Sequence, residues 1–121
     1  MAVRVLIVDD QEPFRAVARE VVEAAGDFEV VGEAETGEQS VDLARALHPD
    51  LVLMDVNLPG IAGDEATRRI LAEATATKVV LLSTYEEDEL AELARECGAS
   101  AYVPKSAFDP DRLTDVWSTL A

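Results

Sequence analysis

Three carboxylates, a hydroxyl and an amine each stand at the end of a short apolar run. Asp9 and Asp10 follow Val-Leu-Ile-Val, Asp55 ends Leu-Val-Leu-Met, Ser83 ends Val-Val-Leu-Leu, and Lys105 follows Ala-Tyr-Val-Pro. An apolar run that ends in a polar residue reads as a buried strand delivering that residue at its C-terminal end, where open α/β sheets place their ligand crevice. Carboxylates brought within hydrogen-bonding range repel one another unless a proton or a cation intervenes. A hard divalent ion resolves the conflict. Mg2+ takes a few carboxylate oxygens, waters and a phosphate oxygen, and the chain's single Cys and single His offer no soft site for zinc. One such ion and one lysine set against the aspartates sum to about zero charge, so the site can accept a phosphoryl group of about two negative charges. In that chemistry Asp55 is the nucleophile and becomes an aspartyl phosphate. Asp9 and Asp10 hold the metal, and the backbone carbonyl of Asn57 completes its protein ligands. Lys105 stabilises charge on the transferring oxygens and the Ser83 hydroxyl bonds one of them. Taken singly, each residue has an ordinary role as a helix cap, a turn former or a surface cation. Only their joint placement carries the reading.

The elements that must position these residues alternate in type. Residues 3–8 form an apolar strand interrupted only by Arg4, and residues 11–25 place Phe14, Val17, Ala18, Val21, Val22 and Ala25 at helical spacing, with Pro13 in the first turn and Gly26 as the stop. Residues 28–35 mix apolar and acidic side chains as a less buried strand near a sheet edge does. Residues 37–47 read as a helix held by Val41, Ala44 and Leu47. After the run 51–55 and its Asn-Leu-Pro-Gly loop come a helix over 64–74, a strand over 77–83, a helix over 86–97 with Leu90, Leu93, Ala94 and Cys97 as its stripe, a short strand over 99–103, and a last helix from about Asp109-Pro110 to Leu120. This alternation requires parallel strands joined by right-handed crossovers with helices on both faces: an α/β, doubly wound (βα)5 sandwich of three layers. The functional residues share one crevice if the sheet takes the flavodoxin-like order 2-1-3-4-5, an order that belongs to that class of fold and is not dictated by periodicity.

Composition removes several alternatives. At 121 residues and 49% apolar the chain has the size of a single domain, expected over 1–121, with its own core. No segment approaches the ~18 consecutive apolar residues of a membrane span, and the start lacks a signal-peptide cleavage pattern, so a cytoplasmic location is expected. Ten basic against 25 acidic side chains, a net charge of −15, would repel a phosphate backbone, and direct nucleic-acid binding is not expected. Cys97 cannot form an internal disulfide and reads as a small buried side chain; His48, before Pro49, reads as a helix-end or surface residue.

The spaced elements Ile7-Val8-Asp9-Asp10, Leu53 to Pro59 with Gly63, Leu82-Ser83, and Gly98 to Lys105 closely resemble the receiver domains of bacterial two-component response regulators, over nearly the whole chain. The resemblance implies phosphotransfer from a sensor histidine kinase to Asp55, dependence on Mg2+ and slow self-catalysed hydrolysis of the acyl phosphate, which makes the chain a signalling phosphoacceptor and not an enzyme acting on a separate substrate. It also implies a switch in which Ser83 moves toward the phosphoryl group and Tyr102 turns inward, and a homodimer on phosphorylation. Lys105-Ser106 looks like the subfamily whose regulators carry a C-terminal helix-turn-helix DNA-binding domain; a stand-alone regulator acting through protein contacts is the alternative. Three positions depart from the usual pattern. Ser106 stands where the family usually has proline, so the residue that favours a cis peptide bond there is missing. Thr84 is larger than the residue common at its position and narrows access to the phosphoryl group, and Tyr85 is placed to cover the site. A metal-dependent phosphohydrolase with an Asp-x-Asp motif fits less well, because Asn57 occupies the second position and the chain has no room for a cap domain. A flavodoxin-like cofactor carrier would need a Ser-, Thr- and Gly-rich phosphate loop where this chain has Asp9-Asp10-Gln11-Glu12. Intact Asp9, Asp10, Asp55 and Lys105 argue against an interaction module that has lost phosphorylation.

Overall fold

The computed structural model describes residues 2–84 and 86–120. Five strands and five helices alternate: β1 (Val3–Val8), α1 (Glu12–Ala24), β2 (Phe28–Ala34), α2 (Gly37–Leu47), β3 (Leu51–Asp55), α3 (Gly63–Glu73), β4 (Lys78–Ser83), α4 (Glu87–Cys97), β5 (Ala101–Pro104) and α5 (Pro110–Leu120). All strand pairings are parallel and the order is β2-β1-β3-β4-β5. The less apolar β2 lies at an edge, as its composition requires.

Period-2 alternation along fully apolar strands fills a core on each face of the sheet. Leu6, Val8, Val52, Met54, Val79 and Leu81 pack with residues of α2, α3 and α4. Val5, Ile7, Leu51, Leu53, Val80 and Leu82 pack with residues of α1 and α5. Phe28 and Trp117 meet edge-on, with ring centroids 6.3 Å apart, and fix α5 against the start of β2. Helix ends follow local chemistry. The Thr36 hydroxyl accepts from the Gln39 N–H at 3.0 Å at the start of α2, and Gly98, at φ 86°, ends α4. His48 is exposed and takes the left-handed C-cap of α2 at φ 49°, while Arg4 donates to the carbonyls of Leu47 and His48 at 2.6 and 2.8 Å. Cys97 is buried, as its position in the α4 stripe requires.

Most departures from the expected elements are shifts of one or two residues at their ends. A turn of 3-10 helix, Lys105–Ala107, carries no periodic signal and was not anticipated. No cis peptide bond occurs among the described residues, including Lys105-Ser106. One stripe position is corrected: Val17, expected on the buried face of α1, is 47% exposed, and Arg15 is buried in its place. At about 100° per residue, a buried face centred near Ala18 puts Arg15 roughly 60° from the centre and Val17 roughly 100° away, so the angle overrides hydrophobicity.

The loop after β3 closes tightly on the strand. The Gly63 N–H donates to the Val56 carbonyl at 2.8 Å, and a methyl group on Gly63 would overlap the Asp55 carbonyl oxygen. Gly63→Ala is therefore expected to destabilise the fold by about 1–3 kcal/mol through overpacking. The measurement is the urea midpoint, and an unchanged midpoint would show that the loop yields without penalty.

Candidate functional site

Strand register sets the site. Val8 pairs with Met54, so one further step places Asp9 beside Asp55 at the C-terminal end of the sheet. Asp55 pairs with Leu82, and Ser83 with Pro104, so Ser83 and then Lys105 follow along the same rim. Side-chain alternation then sorts them by face. Asp9, Asp55 and Lys105 lie two residues beyond Ile7, Leu53 and Val103, all packed toward α1 and α5. Ser83 lies two residues beyond Leu81, which packs toward α2, α3 and α4.

The crevice, about 360 Å³, is lined by Asp10, Gln11, Asp55, Asn57, Thr84 and Lys105. Asp9 (1% exposed) and Asp55 (4%) are buried, whereas Asp10 is exposed. The Lys105 ammonium lies 2.7 Å from Asp9 Oδ2 and 3.4 Å from Asp55 Oδ1. It also sits 4.4 Å from the centre of the Phe14 ring, a cation-π contact that favours the same position. Phe14 in turn packs on Phe108, with centroids 6.3 Å apart. That contact matters because β5 is three strands from β1, about 14 Å at the usual spacing. A long side chain on a segment drawn toward α1 can span that gap.

Electrostatics make Asp55 unusual. Burial pushes its carboxyl up to about 6 from 3.8, and the neighbouring Asp9 carboxylate adds to the rise, against the opposing pull of Lys105 and the Asn57 backbone N–H. Asp9 Oδ1 accepts from the Gln11 N–H at 2.8 Å. Asp9 Oδ2 is buried and makes no hydrogen bond of proper geometry among the described residues, and the Lys105 ammonium is its ion-pair partner. One oxygen from each of Asp9, Asp10 and Asp55 lies within 4.8 Å of the others. An all-oxygen, strongly anionic donor set with an under-satisfied buried carboxylate oxygen fits a hard divalent cation.

The expected residues Asp9, Asp10, Asp55, Asn57, Thr84 and Lys105 thus come together. Ser83 is fully buried at the end of β4 and lines an adjoining hollow with Thr84, Glu86 and Ser106, while Thr84 borders both hollow and crevice. Tyr102 is half-buried on β5 opposite Leu81, against the core shared with α4. Tyr85 lies outside the described residues. Two contributors were not legible as such. Phe14 read only as an apolar stripe position, yet it supports Lys105. Arg15 carried no signal, yet its guanidinium donates to the Asp9 carbonyl at 2.7 Å.

Fold and site together define a doubly wound α/β domain with an acidic, lysine-bearing crevice at the carboxyl ends of its strands. The chain matches the response regulator receiver domain family over residues 5–117 and belongs to it. It is 42% identical over 105 residues to the response regulator GacA of Pseudomonas viridiflava, covering 87% of this chain and 49% of GacA. It is 40% identical to the response regulator UvrY of Escherichia coli K12, covering 87% and 48%. The chain spans about half the length of these curated relatives. Among solved structures, a LuxR-family two-component response regulator from Aurantimonas superposes with a TM-score of 0.89 at 34% identity, covering 99% of this chain and 85% of that one. The receiver domain of a NarL response regulator from Mycobacterium tuberculosis gives 0.85 at 29%, covering 98% and 94%. These relatives place the chain with the NarL/FixJ/LuxR-type regulators.

A carboxyl raised from 3.8 to about 6 opposes folding when ionised. Below the unfolded value both states are protonated and nothing is lost. As pH rises through the window from 3.8 to about 6 the folded state gives up stability, about 3 kcal/mol at most, and the loss is complete above it. In metal-free buffer, Asp55→Asn is expected to be more stable than the parent at pH 7.5 and to lose most of that advantage near pH 4. Denaturant titrations at both pH values measure this, and an equal difference at the two would mean that Asp55 titrates normally.

Proposed function

We propose that this receiver domain accepts a phosphoryl group from a sensor histidine kinase on Asp55 and converts that event into a change of shape. The observation that carries the reading is the convergence of Asp9, Asp10, Asp55 and Lys105, from three separate strand ends, within one crevice. An Asp55 carboxylate oxygen attacks phosphorus, the P–N bond to the kinase histidine breaks, and the imidazole takes up a proton as it leaves. Asp9, Asp10, Asp55 and the backbone carbonyl of Asn57 are the residues that would hold Mg2+, whose bound charge offsets the acids and the phosphoryl oxygens. Lys105 pairs with a transferring oxygen once Asp55 no longer carries the charge it now faces. Slow self-hydrolysis then resets the domain.

Ser83 and Tyr102 form the switch in this reading. Both continue the face of the sheet that packs toward α4, away from the parity of Asp55 and Lys105, so a Ser83 hydroxyl drawn to the phosphoryl group would pull on the α4 side. Thr84, at the border of the two hollows, limits access to the acyl phosphate. Residues 1–121 are assigned to one receiver domain, cytoplasmic, with homodimerisation on phosphorylation and no direct contact with nucleic acid or membrane. The net charge of −15 supports the absence of direct contact with nucleic acid. No described helix is long and apolar enough to cross a membrane. Likeness to the LuxR-family regulator supports transcription control through a C-terminal DNA-binding domain as the output. A stand-alone regulator acting through protein contacts is the alternative, and the gene's length past Ala121 separates the two.

Incubation with acetyl phosphate and Mg2+ is expected to add one phosphoryl group to the intact protein by mass spectrometry. Excess EDTA and Asp55→Asn should each abolish the addition. Labelling that survived in Asp55→Asn would move the nucleophile to another residue.

A further inference from the structure

Arg15 is a buried cation behind the acid crevice and takes no part in the chemistry proposed above. Its side chain is 9% exposed and is surrounded by carboxylates: Glu12, paired with Nη2, Glu33 at 3.3 Å from Nε, and Glu35 at 3.4 Å from Nη2. Arg19 joins the same group, at 2.6 Å from Glu33 and 3.1 Å from Glu12. These acids suffice to compensate the guanidinium. Even so, Nη1 is directed at an uncharged acceptor, the Asp9 backbone carbonyl, at 2.7 Å in a fully buried hydrogen bond. A bond of this kind to a charged donor is strong and directional, and a planar guanidinium held from several sides has little freedom to follow its acceptor.

Asp9 is hydrogen-bonded at three of its polar groups and faces a cation at the fourth. Its N–H donates to the Ala34 carbonyl at 3.0 Å, its carbonyl accepts from Arg15, its Oδ1 accepts from the Gln11 N–H at 2.8 Å, and its Oδ2 faces Lys105. We propose that Arg15 is a positioning residue: through the Asp9 carbonyl it sets the turn between β1 and α1 so that Asp9 and Asp10 are presented to a divalent cation. This rests on the metal-binding reading given above. Charge alone predicts the reverse, because removing a nearby cation makes the crevice more negative and tightens cation binding. The sign of the change therefore separates the two roles.

The test is Mg2+ titration of the full chain by calorimetry, at a temperature where circular dichroism shows every variant folded, alongside amide hydrogen exchange at Gln11 in metal-free buffer. Arg15→Gln is expected to weaken Mg2+ binding about tenfold, the scale of losing an outer-shell support, and to speed exchange at Gln11. Arg15→Lys keeps the charge and is the variant that decides the matter should Arg15→Gln not fold. It is expected to weaken binding severalfold, where a role through charge alone predicts no change. Tighter or unchanged Mg2+ binding with unaltered Gln11 exchange would overturn the proposal and leave Arg15 a purely structural ion pair. If the parent protein itself bound no Mg2+, the metal reading would fail separately, and Gln11 exchange would still decide whether Arg15 holds the Asp9 turn.

Discussion

Buried carboxylates crowded at one strand rim repel each other, and most of what is distinctive here answers that repulsion. Two unit charges about 5 Å apart at the effective dielectric of a protein surface interact by about 3–4 kcal/mol, a large part of the stability of an ordinary small domain. Lys105 relieves Asp9 first, at 2.7 Å, and Asp55 less, at 3.4 Å. Burial first, and the neighbouring Asp9 second, disfavour the ionised form of Asp55. A carboxyl raised to about 6 is ionised above that pH only at a cost to the fold, and further positive charge entering the crevice would relieve that cost. The proposed divalent cation would supply that charge.

The sheet supplies more than a rim. Because side chains alternate along each strand, one face collects Asp9, Asp55 and Lys105 above the layer of α1 and α5, and the other collects Ser83 and Tyr102 above the layer of α2, α3 and α4. The two sets approach each other at the strand ends, where Thr84 borders both the acid crevice and the hollow that Ser83 lines. Chemistry and proposed read-out are thus kept on opposite sides of a densely packed sheet, with a short path between them.

Helix α1 bears on the site from a direction that motif reading overlooks. Phe14 provides an aromatic surface for the Lys105 ammonium, and Arg15 donates a buried hydrogen bond to the carbonyl of Asp9. Burying a guanidinium is unfavourable unless it is both paired and hydrogen-bonded, and the acids around Arg15 meet that requirement. Exposure of Val17 is the counterpart of the same geometry, since α1 turns its charged residue inward and its apolar one out.

Much was determined by the chain in one dimension. Apolar runs marked four of the strands, two of them ending in the acids Asp9, Asp10 and Asp55, and helical spacing of Ala, Val and Leu marked the type and number of the helices. These are local consequences of burial on two faces or one. What local pattern could not decide was anything that depends on which strands are neighbours and which way a side chain faces after its strand ends. The order β2-β1-β3-β4-β5, the turn that starts at Lys105, the lodging of Ser83 in a hollow beside the crevice, and the support from Phe14 and Arg15 belong to that class. The reason is physical. Periodicity records how each element meets the core, whereas distances across the crevice are set by packing between elements far apart in the chain, and that packing exists only once the whole sheet has closed.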